Sequence, residues 1–234
     1  MNRMRRIFLT LLLGLVSLCL AGPALGQSAA QSGRWRKVLF LGNSITMHGP
    51  KADIDWSGNW GMAASAEAKD YVHLVSKALG QKSGAPPEVM VKNIADFERT
   101  YSGYDVAGKM KQAFDFRADL IIVAIGENVP ALKSAEDKAQ FKSGVAKLLN
   151  ALKSEKHPTI VVRSCFWANQ SKDEILQQAC REAGGIFVDI GSLSKDKSNY
   201  ARSERPFKNQ GVANHPGDKG MQAIADALVK ALHN

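Results

Sequence analysis

The chain has 234 residues, 31 Lys and Arg against 22 Asp and Glu, and a net charge of +9 with histidine neutral. Its apolar share of 45% is that of an ordinary globular protein able to bury a core. The basic surplus is spread over lysines such as Lys77, Lys109, Lys142 and Lys172, with no like-charge block or basic-aromatic array, which argues against a nucleic-acid partner. Such a mildly basic surface suits an acidic polysaccharide or the cell envelope.

Arg3, Arg5 and Arg6 give the N-terminus a positive start, and residues 7–20 are almost unbrokenly apolar. Ala24-Leu25-Gly26 then places small residues at the two positions a signal peptidase inspects. The apolar run is shorter than the roughly 20 residues of a spanning helix. Residues 1–26 are therefore expected to be a cleaved export signal, leaving a periplasmic or secreted protein without a membrane anchor. Cys19 raises a lipoprotein alternative, but Leu18 before it is too bulky for the usual small residue. Residues 27–36 read as a short polar leader, and residues 37–234 suit one domain.

Residues 37–41 read as the first strand, their continuous apolar run from Val38 to Leu41 being the pattern of a central strand covered on both faces. A loop over 47–60, rich in Gly, Pro, Asp and Trp, precedes a helix expected over 62–79, with Tyr71, Leu74, Val75 and Ala78 on one face. A second strand follows at 89–93 and a helix of weaker periodicity at 103–114. The strongest strand signal, 120–125, ends in Gly126-Glu127-Asn128. Phe141, Val145, Leu148, Leu149 and Leu152 make a helical stripe, 159–163 a β-branched strand, and Ile175, Leu176, Ala179 and Ala183 the next helix. Gly184-Gly185 stops that helix before a last strand at 186–190, and Met221, Ile224, Ala225, Leu228, Val229 and Leu232 mark the final helix. Alternating strands and helices predict an α/β fold, a three-layer α/β/α sandwich around a five-stranded, mainly parallel sheet.

The first strand runs through Val38-Leu39-Phe40-Leu41 into Gly42-Asn43-Ser44-Ile45-Thr46, leaving a serine hydroxyl on a tight turn at a strand's carboxyl end. Ligands of open α/β sheets gather there. A late Asn214-His215-Pro216-Gly217-Asp218 offers an imidazole, and a serine is a poor nucleophile until a base accepts its proton. Gly42-Asn43-Ser44-Ile45, Gly126-Glu127-Asn128 and Val212-Ala213-Asn214-His215-Pro216 together resemble, in order, the sequence blocks of the SGNH or GDSL esterase superfamily, whose fold is flavodoxin-like. The likeness implies Ser44 as nucleophile and His215 as general base. It also implies an oxyanion hole made by the Ser44 backbone N–H, the Asn128 amide and a backbone N–H after the second strand, where alignment places Glu98.

This chain departs from the family pattern at three positions. Asn43 replaces the usual aspartate, Glu98 stands at the usual glycine, and Val212 occupies the place of the triad acid three residues before the histidine. Amidating that acid in a serine protease costs about 10⁴ in turnover. Either a backbone carbonyl supports His215, or an acid comes from elsewhere, with Glu98 and Glu127 at the same sheet edge, or the enzyme is slow. Trp56, Trp60 and Trp167 are positioned to wall a sugar-binding cleft, or else to pin their loops as buried aromatics. Cys165 and Cys180 lack metal-ligand spacing and stand either as buried thiols or as a bridge.

No motif calls for a metal or cofactor. The expected activity is an exported serine esterase acting on an acylated small molecule or polysaccharide, with O-acetyl groups on a carbohydrate favoured. Acyl transfer onto an envelope polysaccharide and a non-catalytic carbohydrate-binding domain are the alternatives. Oligomeric state is open.

Overall fold

A computed structural model describes residues 35–153 and 156–233. The expected export signal and all but the last two residues of the leader lie outside the described residues. The sheet order is β2-β1-β3-β4-β5, from β1 (Lys37–Gly42), β2 (Glu88–Asn93), β3 (Leu120–Ala124), β4 (Thr159–Arg163) and β5 (Ile186–Val188). Every pairing is parallel. The helices are α1 (Tyr71–Ser83), α2 (Ala95–Thr100), α3 (Val106–Lys109), α4 (Lys111–Phe116), α5 (Ala135–Leu152), α6 (Gln170–Glu182), α7 (Gln210–Ala213) and α8 (Asp218–His233). No helix among the described residues is long and apolar enough to cross a membrane.

The unbroken apolar strands are explained by the two faces they serve. Leu39 and Leu41 of β1, with Ile121 and Val123 of β3, point into one core beside Phe141, Val145, Leu148 and Leu176 from α5 and α6. The alternate residues Val38, Phe40, Leu120 and Ile122 point into a second core with Val72 and Val75 of α1 and Ile224 and Leu228 of α8. Period-2 alternation thus sorts one strand's side chains between two helical layers.

Several helix boundaries differ from the sequence pattern. The helix expected over 62–79 begins only at Tyr71, because Asp70 caps it: its carboxylate accepts the His73 N–H at 2.8 Å and the Gly61 N–H at 2.9 Å. Residues 62–70 instead run as loop and a short 3-10 turn, with Ala63 in the left-handed region at φ 72°. The helix expected over 103–114 is divided into α3 and α4, and the short α2 and α7 carried no signal long enough to read. Cys165 and Cys180 are buried free thiols.

Candidate active site

β1 and β3 lie side by side, and β1 connects onward to β2 on its other edge, so the crevice between β1 and β3 is where the strand order reverses. Such a crevice is the preferred ligand position of an open parallel sheet. Ser44 follows β1 and Asn128 follows β3.

Gly42 permits the Ser44 turn. A Cβ there would stand 1.9 Å from Thr46 Oγ1 and 2.9 Å from the Ala124 carbonyl. The chain then folds back, the Asn43 carbonyl accepting the Thr46 N–H at 2.9 Å and the Met47 N–H at 3.0 Å. The Met62 N–H donates to the Ser44 carbonyl at 2.8 Å, tying the turn to the long loop. Half-buried Ser44 opens onto a cleft of about 610 Å³ that His48, Asn128 and His215 also line.

His215 arrives from the far end of the chain. Asn209 caps α7 by accepting the Val212 N–H at 3.1 Å, and the His215 N–H closes on the Val212 carbonyl at 3.0 Å. His215 Nε2 lies 2.8 Å from Ser44 Oγ. Its Nδ1 lies 2.8 Å from the Gly211 carbonyl oxygen. A carbonyl can only accept, so Nδ1 carries the proton and Nε2 offers its lone pair to the serine hydroxyl. Burial lowers the His215 pKa below the usual histidine value, more than the Gly211 bond and the distant Glu127 raise it. The imidazole is therefore neutral at pH 7, the form a base needs.

Among the described residues no carboxylate hydrogen-bonds to His215. Val212, at the family's acid position, is 2% exposed and packs with Trp56, Met62, Ala63 and Ala201. Between a backbone carbonyl and an acid from elsewhere, the structure has the carbonyl, that of Gly211.

The expectation for Glu98 needs correction. Its backbone N–H lies inside α2 and donates to the Ile94 carbonyl at 3.4 Å, so it is not presented to the cleft. Its side chain is fully buried instead, and accepts from Asn128 Nδ2 at 2.6 Å, the Gly126 N–H at 2.6 Å, the Asn128 N–H at 3.2 Å and Asn43 Nδ2 at 3.1 Å. Asn43 Nδ2 also donates to Glu127 Oε2 at 2.7 Å, and Glu127 Oε1 pairs with Arg163 Nη1 at 2.6 Å. Burial pushes the Glu127 carboxyl up most strongly, but the Arg163 guanidinium, the Phe166 N–H and the Asn43 amide together outweigh it and hold the group below the ordinary range. Glu98 has no such cation, and burial followed by the charge of Glu127 raises it.

Asn128 receives Arg99 Nη2 on its Oδ1 at 3.2 Å while giving one Nδ2 hydrogen to Glu98. These partners fix which end of the amide is nitrogen, and they leave the second Nδ2 hydrogen for a ligand in the cleft. Gly126 gives β3 its exit: at φ 125°, a Cβ there would meet Cys165 Sγ at 2.4 Å.

The three tryptophans separate. Trp167 stands edge-on to the His215 ring, with centroids 5.4 Å apart. Trp56 is 8% exposed, its indole N–H bonded to the His48 carbonyl at 2.9 Å, and Trp60 donates to the Ala64 carbonyl at 3.1 Å. These two pack edge to face, with centroids 5.7 Å apart, and they line a different cleft together with Arg205, Phe207 and Lys208. They pin the loop beneath Ser44 instead of walling its cleft. No group of His, Cys, Asp and Glu among the described residues is arranged to hold a metal. The sequence blocks pointed to Ser44, Asn128 and His215, whereas nothing in them pointed to Gly211 or Arg163, which act through a carbonyl and through a buried ion pair.

No protein-family model and no curated protein matches the chain in sequence. Solved structures do match in shape. A family two carbohydrate esterase from Cellvibrio japonicus superposes with a TM-score of 0.54 at 20% identity, over 90% of this chain and 62% of that one, so this chain spans under two thirds of its length. An acetyl xylan esterase gives 0.53 at 16% identity over 84% and 99%. A GDSL-like lipase from Bacteroides uniformis gives 0.51 at 15% over 85% and 95%. Strand order, strand-end turns and these likenesses agree: the chain has the fold of the SGNH/GDSL hydrolases.

Proposed function

We propose that the chain is an exported serine esterase that removes an acyl group, in the first instance acetyl, from a carbohydrate. The observation that carries this reading is the 2.8 Å contact between Ser44 Oγ and a His215 Nε2 whose proton is held on the far nitrogen by Gly211. As Oγ attacks the ester carbonyl, Nε2 accepts its proton. The carbonyl π-electrons move onto oxygen, and the Asn128 Nδ2 hydrogen with the Ser44 backbone N–H are the donors for that oxyanion. Collapse breaks the bond to the sugar oxygen, which takes the proton from His215. Water, deprotonated by the same nitrogen, then releases the acid from Ser44.

The cleft wall supports a polar, sugar-like substrate. Lys92, Arg99 and Lys109 line it against the single carboxylate of Asp96, which Lys109 pairs at 2.7 Å. That excess of positive charge suits a saccharide bearing carboxylates better than a long acyl chain. The carbohydrate and acetyl xylan esterases among the structural neighbours support the same substrate class. The test is acid release from O-acetylated saccharides, with and without an added sugar acceptor, by the wild type, Ser44→Ala and His215→Ala. Free acetate that disappears in both variants is expected. Acetate release that survives Ser44→Ala would refute the reading, and acylated acceptor exceeding free acid would make the protein a transferase.

A further inference from the structure

Two of the sequence departures, Asn43 and Glu98, meet in one buried contact. Asn43 comes from the Ser44 turn and Glu98 from α2, and both are wholly shielded from solvent. Four N–H donors converge on the Glu98 carboxylate: the backbone N–H groups of Gly126 and Asn128 and the side-chain amides of Asn43 and Asn128. Among the described residues every hydrogen bond to it comes from a donor. A carboxylate satisfies all four, whereas an amide at 98 must turn an NH₂ toward at least one donor.

Asn43 is fitted to that carboxylate in turn. Its Nδ2 has two hydrogens and spends them on Glu98 at 3.1 Å and Glu127 at 2.7 Å, while its Oδ1 accepts the Ile45 N–H at 3.1 Å beside Ser44. Aspartate at 43 would keep the last bond and lose both donors. It would also set three carboxylates together against the one guanidinium of Arg163, a costly arrangement in a buried site.

We propose, resting on the esterase reading, that Glu98 is a positioning residue that sets the plane of the Asn128 amide, and that Asn43 is the partner its charge requires. In this chain the nucleophile turn carries an amide, Asn43, and the buried carboxylate beside it stands on α2. Holding one Nδ2 hydrogen on Glu98 Oε2 directs the other to the place where the oxyanion forms.

The test is a double-mutant cycle on a small neutral ester and an acetylated saccharide, using Glu98→Gln, Asn43→Asp and the pair, with melting curves and organophosphonate titration of Ser44. Glu98→Gln is expected to lower kcat per titratable Ser44 by about 10²–10³, as for loss of one oxyanion donor, with KM little changed. Asn43→Asp is expected to be slower still and to melt lower. In the double variant the new amide at position 98 can donate to the new carboxylate at position 43. It should therefore recover at least about tenfold in kcat over Asn43→Asp, with a higher Tm, a coupling that separate roles forbid. Full kcat in Glu98→Gln, or losses that simply add, would overturn the proposal. If Glu98→Gln fails to fold, the comparison of Asn43→Asp with the double variant decides alone. Ser44→Ala in parallel separates the two claims: hydrolysis that survives it refutes the esterase reading, and Ser44-dependent hydrolysis undiminished in Glu98→Gln refutes only the positioning role.

Discussion

A serine and a histidine 171 positions apart share a 2.8 Å contact, and the group behind the histidine is a backbone carbonyl. A carbonyl fixes the tautomer as a carboxylate does, but it offers only a dipole to the imidazolium formed during attack. With no charge behind it and with burial against the cation, His215 titrates below its ordinary value of 6.5. If His215 is the general base, as proposed, the neutral ring is the active form, so activity should be lost as pH falls and the acid limb of kcat/KM should lie below pH 6.5; a limb above about pH 7 would contradict the carbonyl-supported geometry. The same shift has a stability sign: the unfolded chain takes the proton more readily, so His215 makes the native state less stable as pH drops below 6.5. Restoring the missing acid should not help. Val212→Asp would bury an uncompensated carboxylate among Trp56, Met62 and Ala201, at a cost of about 3–5 kcal/mol, and thermal melting should show it without a gain in turnover.

At the scale of elements, what could be read from the sequence was what depends on local pattern. β1 and β3 declared themselves because their side chains are buried on both faces, and α5 because its stripe recurs on one face. The start of α1 was not legible, since apolar residues continue upstream and only the tertiary bond from Gly61 to Asp70 reveals the cap. The acceptor behind His215 was hidden for a related reason: any residue can supply a carbonyl. Likewise the indole faces of Trp56 and Trp60 suggested a ligand, and only packing shows them spent on their own loop. Asp70 ties α1 to that loop, and Met62 of the loop bonds to Ser44. Asp70→Ala leaves the buried Gly61 N–H without its acceptor and removes the α1 cap, so it should cost about 1–3 kcal/mol by chemical denaturation. An unchanged midpoint would mean that the loop is held elsewhere.

Across the whole molecule, the order β2-β1-β3-β4-β5 is what lets distant segments meet. Three short sequence blocks were informative because parallel topology sends every strand's carboxyl end to one edge, where the Ser44 and Asn128 turns lie side by side and the His215 segment completes the cleft. The net charge of +9 gave no address for its surplus. Folding concentrates part of it as Lys92, Arg99 and Lys109 on the cleft wall. Salt screens such exposed charges over about 10 Å at 0.1 M. The KM for an acetylated uronate polymer should therefore rise with sodium chloride while that for a neutral aryl acetate stays level; parallel responses would deny the wall a part in recognition. Nothing tests the central pairing of Ser44 with His215 more directly than treating the wild type and His215→Ala with an organophosphonate and locating the added mass by peptide mapping. Stoichiometric modification confined to Ser44, slowed by at least about 10²-fold in His215→Ala, is expected. Modification elsewhere, or at the same rate without the histidine, would contradict it.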